Sequence, residues 1–217
     1  MVITESWAKP SLDDIFFTIF GYSLYRRDRV GSKGGGILIY VLDSLPSVEV
    51  LEQELVCFDD CSACKISLPD GSSLMIAAFY RSPNSSDTNN SFLAQAMSKV
   101  MTYESTYHIL CGDFNFPDIN WHLNTYPPGL DYFMDVVNEN NLRQFVFSPT
   151  RGCNVLDLVF CDNSAIVSNV IVREPLGLSD HNIVVVDLNI PLFTKRDVVG
   201  SGSSRITASC KCRKKRG

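Results

Sequence analysis

Tyr107-His108-Ile109-Leu110-Cys111-Gly112-Asp113-Phe114-Asn115, running on through Phe116-Pro117-Asp118-Ile119-Asn120-Trp121, is the stretch on which the fold turns. Its first half is a short apolar run of the kind that makes a buried strand. Glycine and then proline punctuate the second half, so the strand ends near Gly112-Asp113. Asp113 and Asn115 stand two apart, a spacing that puts side chains on one face of a strand. An acid and an amide are thus expected side by side at a strand end, where α/β sheets keep their chemistry. A carboxylate there accepts a proton or holds a cation, and an amide donates to a phosphate oxygen. The same residues also favour a solvated Asx turn.

Outward from this stretch, the pattern is mostly strand. Val2-Ile3-Thr4, Tyr22–Arg26, Ile37–Val41, Lys65–Leu68, Leu74–Tyr80, Leu142–Phe147, Val155–Phe160, Val167–Val172 and Asn182–Ile190 are apolar or β-branched runs. Pro69-Asp70-Gly71 between two of them predicts a hairpin. Phe92–Thr102 and the segment around Leu130–Val137 carry apolar residues at helical spacing. Pro10–Asp14 resembles a helix start with Ser11 as its cap. Gly34-Gly35-Gly36 lacks a following Lys-Ser/Thr, which excludes a P-loop, and reads as a flexible lead into a strand. Strands outnumber helices, and hairpins coexist with strand–helix–strand units. That predicts an α/β (α+β) architecture of two packed sheets with flanking helices.

The 217 residues, 45% hydrophobic and 20% charged, suit one domain with a full core. No apolar run approaches the ~20 residues that span a bilayer, and no secretory signal opens the sequence. Several of the eight cysteines sit inside apolar runs, which predicts reduced thiols and an intracellular setting, nuclear or cytoplasmic. Cys57, Cys61 and Cys64 have a spacing zinc could use, but no second ligand pair lies nearby. Charge is split. After Phe193 stand eight basic residues against Asp197 alone, whereas the body is acidic enough to carry the net charge to −5. An acidic body is no electrostatic glove for nucleic acid, so DNA binding would require a cation and a few placed arginines. The expected organisation is a domain over 1–192 and a basic, disordered tail over 193–217.

Polar residues gather at the ends of the apolar runs. Glu5 leaves the first and Tyr80 the hairpin. Asp157 interrupts its run and needs a partner there. His181 precedes the last strand, and a carboxylate held against an imidazole favours the charged ring, so Asp157 is expected to pair with it. Thr4-Glu5-Ser6-Trp7, Tyr80-Arg81-Ser82-Pro83-Asn84, Gly112-Asp113-Phe114-Asn115, Leu156-Asp157-Leu158-Val159-Phe160 and Ser179-Asp180-His181 together resemble the endonuclease/exonuclease/phosphatase superfamily. The run from Asp113 to Trp121 looks most like the endonuclease domain of non-LTR retrotransposons.

This resemblance implies a DNase I-like, four-layer α/β sandwich with two mixed sheets back to back. It implies Mg²⁺, with Mn²⁺ as a stand-in, held by Glu5. Asp113 would orient or deprotonate water, and Asn115 would hold the scissile phosphate. His181, steadied by Asp157, would donate to that phosphate; Tyr80 would assist, and Asp180 would add a second acid. Arg81, Asn84, Thr150 and Arg151 are weaker candidates for contacts to a substrate strand. Trp121 is expected in the core. The implied activity is nicking of DNA at a retrotransposon target site, with a reverse transcriptase domain in the parent polyprotein and no membrane partner. The alternatives are a phosphatase or phosphodiesterase acting on a small or lipid substrate, or an inactive truncated remnant. Family members carry a further strand ending in Asn upstream of the glutamate, so the first strand of the fold is expected to be missing.

Overall fold

The computed structural model describes residues 1–50, 55, 57–190 and 205–206. Nearly all of the predicted tail over 193–217 therefore lies outside the described residues.

β1 (Val2–Thr4), β2 (Tyr22–Arg27) and β3 (Ile37–Leu42) form one antiparallel sheet in the order β1-β3-β2. β4 (Ser47–Glu49), β5 (Cys61–Ser67) and β6 (Ser73–Tyr80) open a second sheet, with the expected hairpin at Pro69-Asp70-Gly71 joining the last two. Helix α1 (Asp87–Met101) follows, and then β7 (Tyr107–Asp113), which pairs with β6 in parallel. α2 (Asp131–Glu139), β8 (Arg143–Gln144) and β9 (Asp157–Cys161) complete a six-stranded mixed sheet, ordered β4-β5-β6-β7-β9-β8. β10 (Val167–Arg173), β11 (Ile183–Leu188) and β12 (Arg205–Ile206) make a third, antiparallel sheet.

Period-two alternation sorts the core into two layers. Met75, Ala77 and Phe79 of β6 face the helices with Leu110, Phe114, Leu158 and Phe160; Leu93, Met97, Phe133 and Met134 pack on them from α1 and α2. Leu74, Ile76, Ala78 and Tyr80 face the other way with Ile109, Cys111, Val159 and Cys161, against Val2, Ile37, Ile39, Val184 and Val186 of the two smaller sheets. This is the α/β sandwich with β layers back to back. Among the described residues both α-helices cover the six-stranded sheet. Cys61 and Cys64 fall on opposite faces of β5, so no shared metal can join them.

Three local expectations change. α1 begins at Asp87, earlier than its apolar face suggests, because the Ser86 hydroxyl accepts from the Asn89 N–H and starts the helix within a polar stretch. Pro10–Asp14 does not open a helix; a 3-10 turn spans Asp14–Phe16, capped by Asp13 rather than Ser11. The strand expected over 142–147 shrinks to the two residues of β8.

Gly112 is obligatory where β6 and β7 run side by side. Its φ is +140°, and a Cβ there would lie 1.9 Å from the Phe79 carbonyl oxygen. No helix among the described residues is long and apolar enough to cross a membrane.

Candidate active site

Alternation along the strands builds the site. Tyr80, Asp113 and Asp157 all point to the interlayer side of the large sheet. They are also direct cross-strand partners, Tyr80 with Asp113 and Asp113 with Asp157. Three adjacent strands thus end in one row of a phenol and two carboxylates. Glu5 enters that row from the end of β1, and the Tyr80 hydroxyl donates to Glu5 Oε1. The Trp7 indole N–H approaches Glu5 Oε2 at 3.4 Å. His181 enters from the segment before β11.

His181 Nδ1 lies 2.8 Å from Asp157 Oδ2, and its Nε2 lies 3.9 Å from Asp113 Oδ2. The ring therefore spans the two carboxylates. Burial opposes its charge, but the hydrogen bond and charge of Asp157, helped by Asp113, raise the His181 pKa overall. Asp113 is 4% exposed. Burial, and then repulsion from Asp157 and Glu5, pushes its pKa well above the usual carboxylate range despite His181. The Tyr80 phenol is raised too, by burial and by its bond to Glu5.

Asp113 and Asn115 meet by a different route from the one their spacing suggests. The strand stops at Asp113, and Asn115 adopts a left-handed backbone with φ 47°. Its N–H donates to Asp113 Oδ1 at 3.1 Å and its Nδ2 to Asp113 Oδ2 at 2.9 Å. The turn and the site are one object. The same Nδ2 also donates to the Arg81 carbonyl oxygen at 2.9 Å, so both amide hydrogens are committed inside the protein.

Two of the residues expected to touch a substrate strand are buried and bonded inside the protein. Arg81 is buried: its Nε donates to Asn90 Oδ1 of α1, another guanidinium nitrogen donates to the Asn115 carbonyl oxygen, and the group covers the Phe116 ring. The residue after Tyr80 must face the helices if Tyr80 faces the other layer. Thr150 is fully buried, and its hydroxyl accepts from the N–H groups of Leu156 and Asp157, both at 3.0 Å. Its hydroxyl is committed to the backbone that leads into Asp157. Arg151 and Asp180 pair at 2.8 Å on the rim, and Asn84 is exposed on the turn after β6. Trp121 is in the aromatic core against Phe160. Sequence reading gave no weight to Trp7 as a neighbour of Glu5, although only one residue separates them.

The family profile described as endonuclease-reverse transcriptase matches residues 74–185. The chain belongs to that family, within the endonuclease/exonuclease/phosphatase superfamily. The match takes in every predicted site residue except Glu5. Among solved structures, the endonuclease domain of TRAS1, a telomere-specific non-LTR retrotransposon, aligns with TM-score 0.61 at 16% identity, covering 79% of this chain and 82% of that one. An endonuclease/exonuclease/phosphatase family protein from Leptotrichia buccalis aligns with TM-score 0.52 at 15% identity, covering 87% of each chain. At these identities the likeness is one of fold. None of the curated proteins matches the chain in sequence.

Members of this superfamily are hydrolytic nucleases and phosphatases that rely on a metal. The residues present fit a cation. Asp113, Asp157 and His181 bring ligand atoms within 4.8 Å of one another. Asp157 Oδ1 is buried without a hydrogen-bond partner among the described residues. With Glu5 acting on Asp113 as well, carboxylate charge exceeds what one imidazolium offsets, and a divalent ion would remove the excess.

Proposed function

We propose that this chain hydrolyses phosphodiesters with the help of a divalent cation, Mg²⁺ in the first instance, and that its substrate is DNA nicked on one strand. The observation that carries the reading is the in-register row Tyr80–Asp113–Asp157, closed from one side by Glu5 and from the other by His181. Chemistry that builds charge on a phosphate asks for these groups: acceptors for a proton, donors for the developing oxyanion, and a cation.

Glu5 would hold the cation within the negative field of Asp113 and Asp157, with Tyr80 and Trp7 fixing its two oxygens. The ion, when bound, supplies positive charge to the phosphate oxygens and the leaving oxygen. Asp113 orients the attacking water and accepts its proton. Asn115, both amide hydrogens already committed, keeps the Asp113 carboxylate turned towards that water. His181 donates from Nε2 to a phosphate oxygen, and Asp157 holds the ring charged and in place. Asp180, tied to Arg151, stands at the edge and shapes the approach of the strand.

DNA as the substrate draws on the family and on local charge. Lys9 and Lys33 line an open cleft of about 750 Å³ beside Trp7, and Arg151 stands on the rim. Cations at these positions offset the repulsion between an acidic body and a phosphate backbone. A retrotransposon origin would link this activity to a reverse transcriptase in the same polyprotein and to an intracellular compartment. The free cysteines among the described residues suit such a compartment.

Supercoiled plasmid incubated with Mg²⁺ and the purified chain should become open circles, and Asp113→Ala should abolish this. Inositol phosphate release is run in parallel. Release without nicking would replace DNA with a small phosphate ester as the substrate. Nicking that survives Asp113→Ala would reject the site.

A further inference from the structure

Three features stand behind the catalytic row without belonging to it: the Gly34-Gly35-Gly36 run, Arg29 and Asp60. Glu5 and Trp7 both have left-handed backbones, with φ 50° and 55°. Side chains rarely adopt that conformation unless their surroundings hold it. Here the surroundings are the glycines. The Ser6 N–H donates to the Gly36 carbonyl oxygen at 3.1 Å, and the Trp7 N–H to that of Gly35 at 3.0 Å.

The glycines are held in turn by one carboxylate. The Gly36 N–H donates to Asp60 Oδ1 at 2.9 Å, and Arg29 Nε donates to Asp60 Oδ2 at 2.7 Å. Asp60 is 4% exposed. A Cβ on Gly35 would lie 2.6 Å from Asp60 Oδ1, so only glycine allows this approach. The run is hydrogen-bonded at Gly35 and Gly36, where its composition suggests a flexible lead. Asp60 also reaches the other half of the pair: its carbonyl oxygen accepts the Tyr80 N–H at 3.0 Å. Arg29 lies over the Tyr80 ring, 5.3 Å from its centroid, and donates to Ser82 Oγ at 2.9 Å.

We propose that Asp60 is a positioning residue: through its carboxylate it fixes the loop that sets Glu5, and through its carbonyl it fixes Tyr80, so that the two meet in one geometry. Its importance for catalysis rests on the function proposed above; the geometry itself does not. Glu5 and Tyr80 come from different sheets, and no local sequence rule brings them into register. Asp60 is bonded to both sides of that junction. Arg29 completes the clasp by neutralising the buried carboxylate.

The chain contains two tryptophans, which makes the test direct. The Trp7 indole N–H reports on Glu5, and the Trp121 indole lies in the distant aromatic core. Indole ¹H–¹⁵N signals are recorded for the metal-free wild type and for Asp60→Asn, with Trp7→Phe giving the assignment. The Trp7 signal should move or broaden and the Trp121 signal should stay. In plasmid nicking, the Mg²⁺ concentration for half-maximal rate should rise about tenfold, as for loss of a group that supports a metal ligand. KM for DNA should stay within about twofold. An unmoved Trp7 signal in folded Asp60→Asn overturns the proposal, as does equal displacement of both signals. Should Asp60→Asn fail to fold, Arg29→Lys carries the same test, because an ammonium cannot reproduce the guanidinium's two-point contact. A wild type that does not nick, alongside a displaced Trp7 signal in the variant, rejects the nuclease reading and leaves the Asp60 clasp standing.

Discussion

Asp113 is a residue whose chemistry and stability pull in opposite directions. Its carboxylate is buried beside Asp157 and within reach of the Glu5 charge, which disfavours ionisation. Asp113→Asn removes that charge at little change in shape. In metal-free buffer near neutral pH the variant should melt higher than the wild type, while nicking disappears. Calorimetry with and without Mg²⁺ checks it: the ion should raise the melting temperature of the wild type more than that of the variant, which lacks one of the negative charges around Glu5. Asp157→Asn makes the complementary case. Asp157 is what raises the His181 pKa, so the ring should titrate lower in the variant by NMR, with a nicking rate reduced roughly 10²-fold or more. The sequence made some residues readable. Asp157 interrupts an apolar run, which called for a partner. Arg81 could have been placed by alternation alone, since it follows a residue assigned to the opposite face. Asp60 was beyond reach, because its bonds to Arg29 and Gly36 depend on how one sheet packs on another.

At the scale of elements, β6 and β7 depend on one glycine. Gly112 admits no side chain beside the Phe79 carbonyl oxygen, and a parallel pair cannot separate locally without disturbing Tyr80 and Asp113 at its end. Gly112→Ala should cost several kcal/mol, on the order of 3 or more once the left-handed strain and the displaced strand are both counted. Urea denaturation should show a large loss of stability or no folded protein at all. The strand ladder was the most legible part of the chain: apolar runs and one Asp-Gly turn marked β3, β6, β7, β9 and β11 within a residue or three. Capped starts and short edge strands were less so. α1 opens on Asp-Thr-Asn-Asn, residues with weak helical preference that one serine hydroxyl sets in place. Arg81 ties that opening to the site through Asn90. Arg81→Met should therefore lower both stability and rate, whereas a purely substrate-binding arginine would lower only the rate.

Across the whole molecule, the pKa shifts of Asp113 and His181 act in the same direction. Both groups hold their protons to higher pH when folded than at their ordinary values of 3.8 and 6.5. The folded state therefore binds more protons than the unfolded one in the windows above those values, and stability falls as pH rises through them. Without metal, the stability that this pair contributes should decline as pH rises above those two values. A saturating divalent ion should flatten that slope, since it replaces the proton as the compensating charge.

Architecture adds a consequence of its own. Glu5 hangs from one three-stranded sheet, His181 from the other, and the remaining acids from the six-stranded sheet. Among the described residues no hydrogen-bond ladder joins the two small sheets. A cation seated among these groups would then act like the keystone of an arch, loaded from three sides at once. Amide exchange at β1 and β11, far apart in sequence, should slow together when the ion arrives. The same stone that makes the cut would also be what locks the vault.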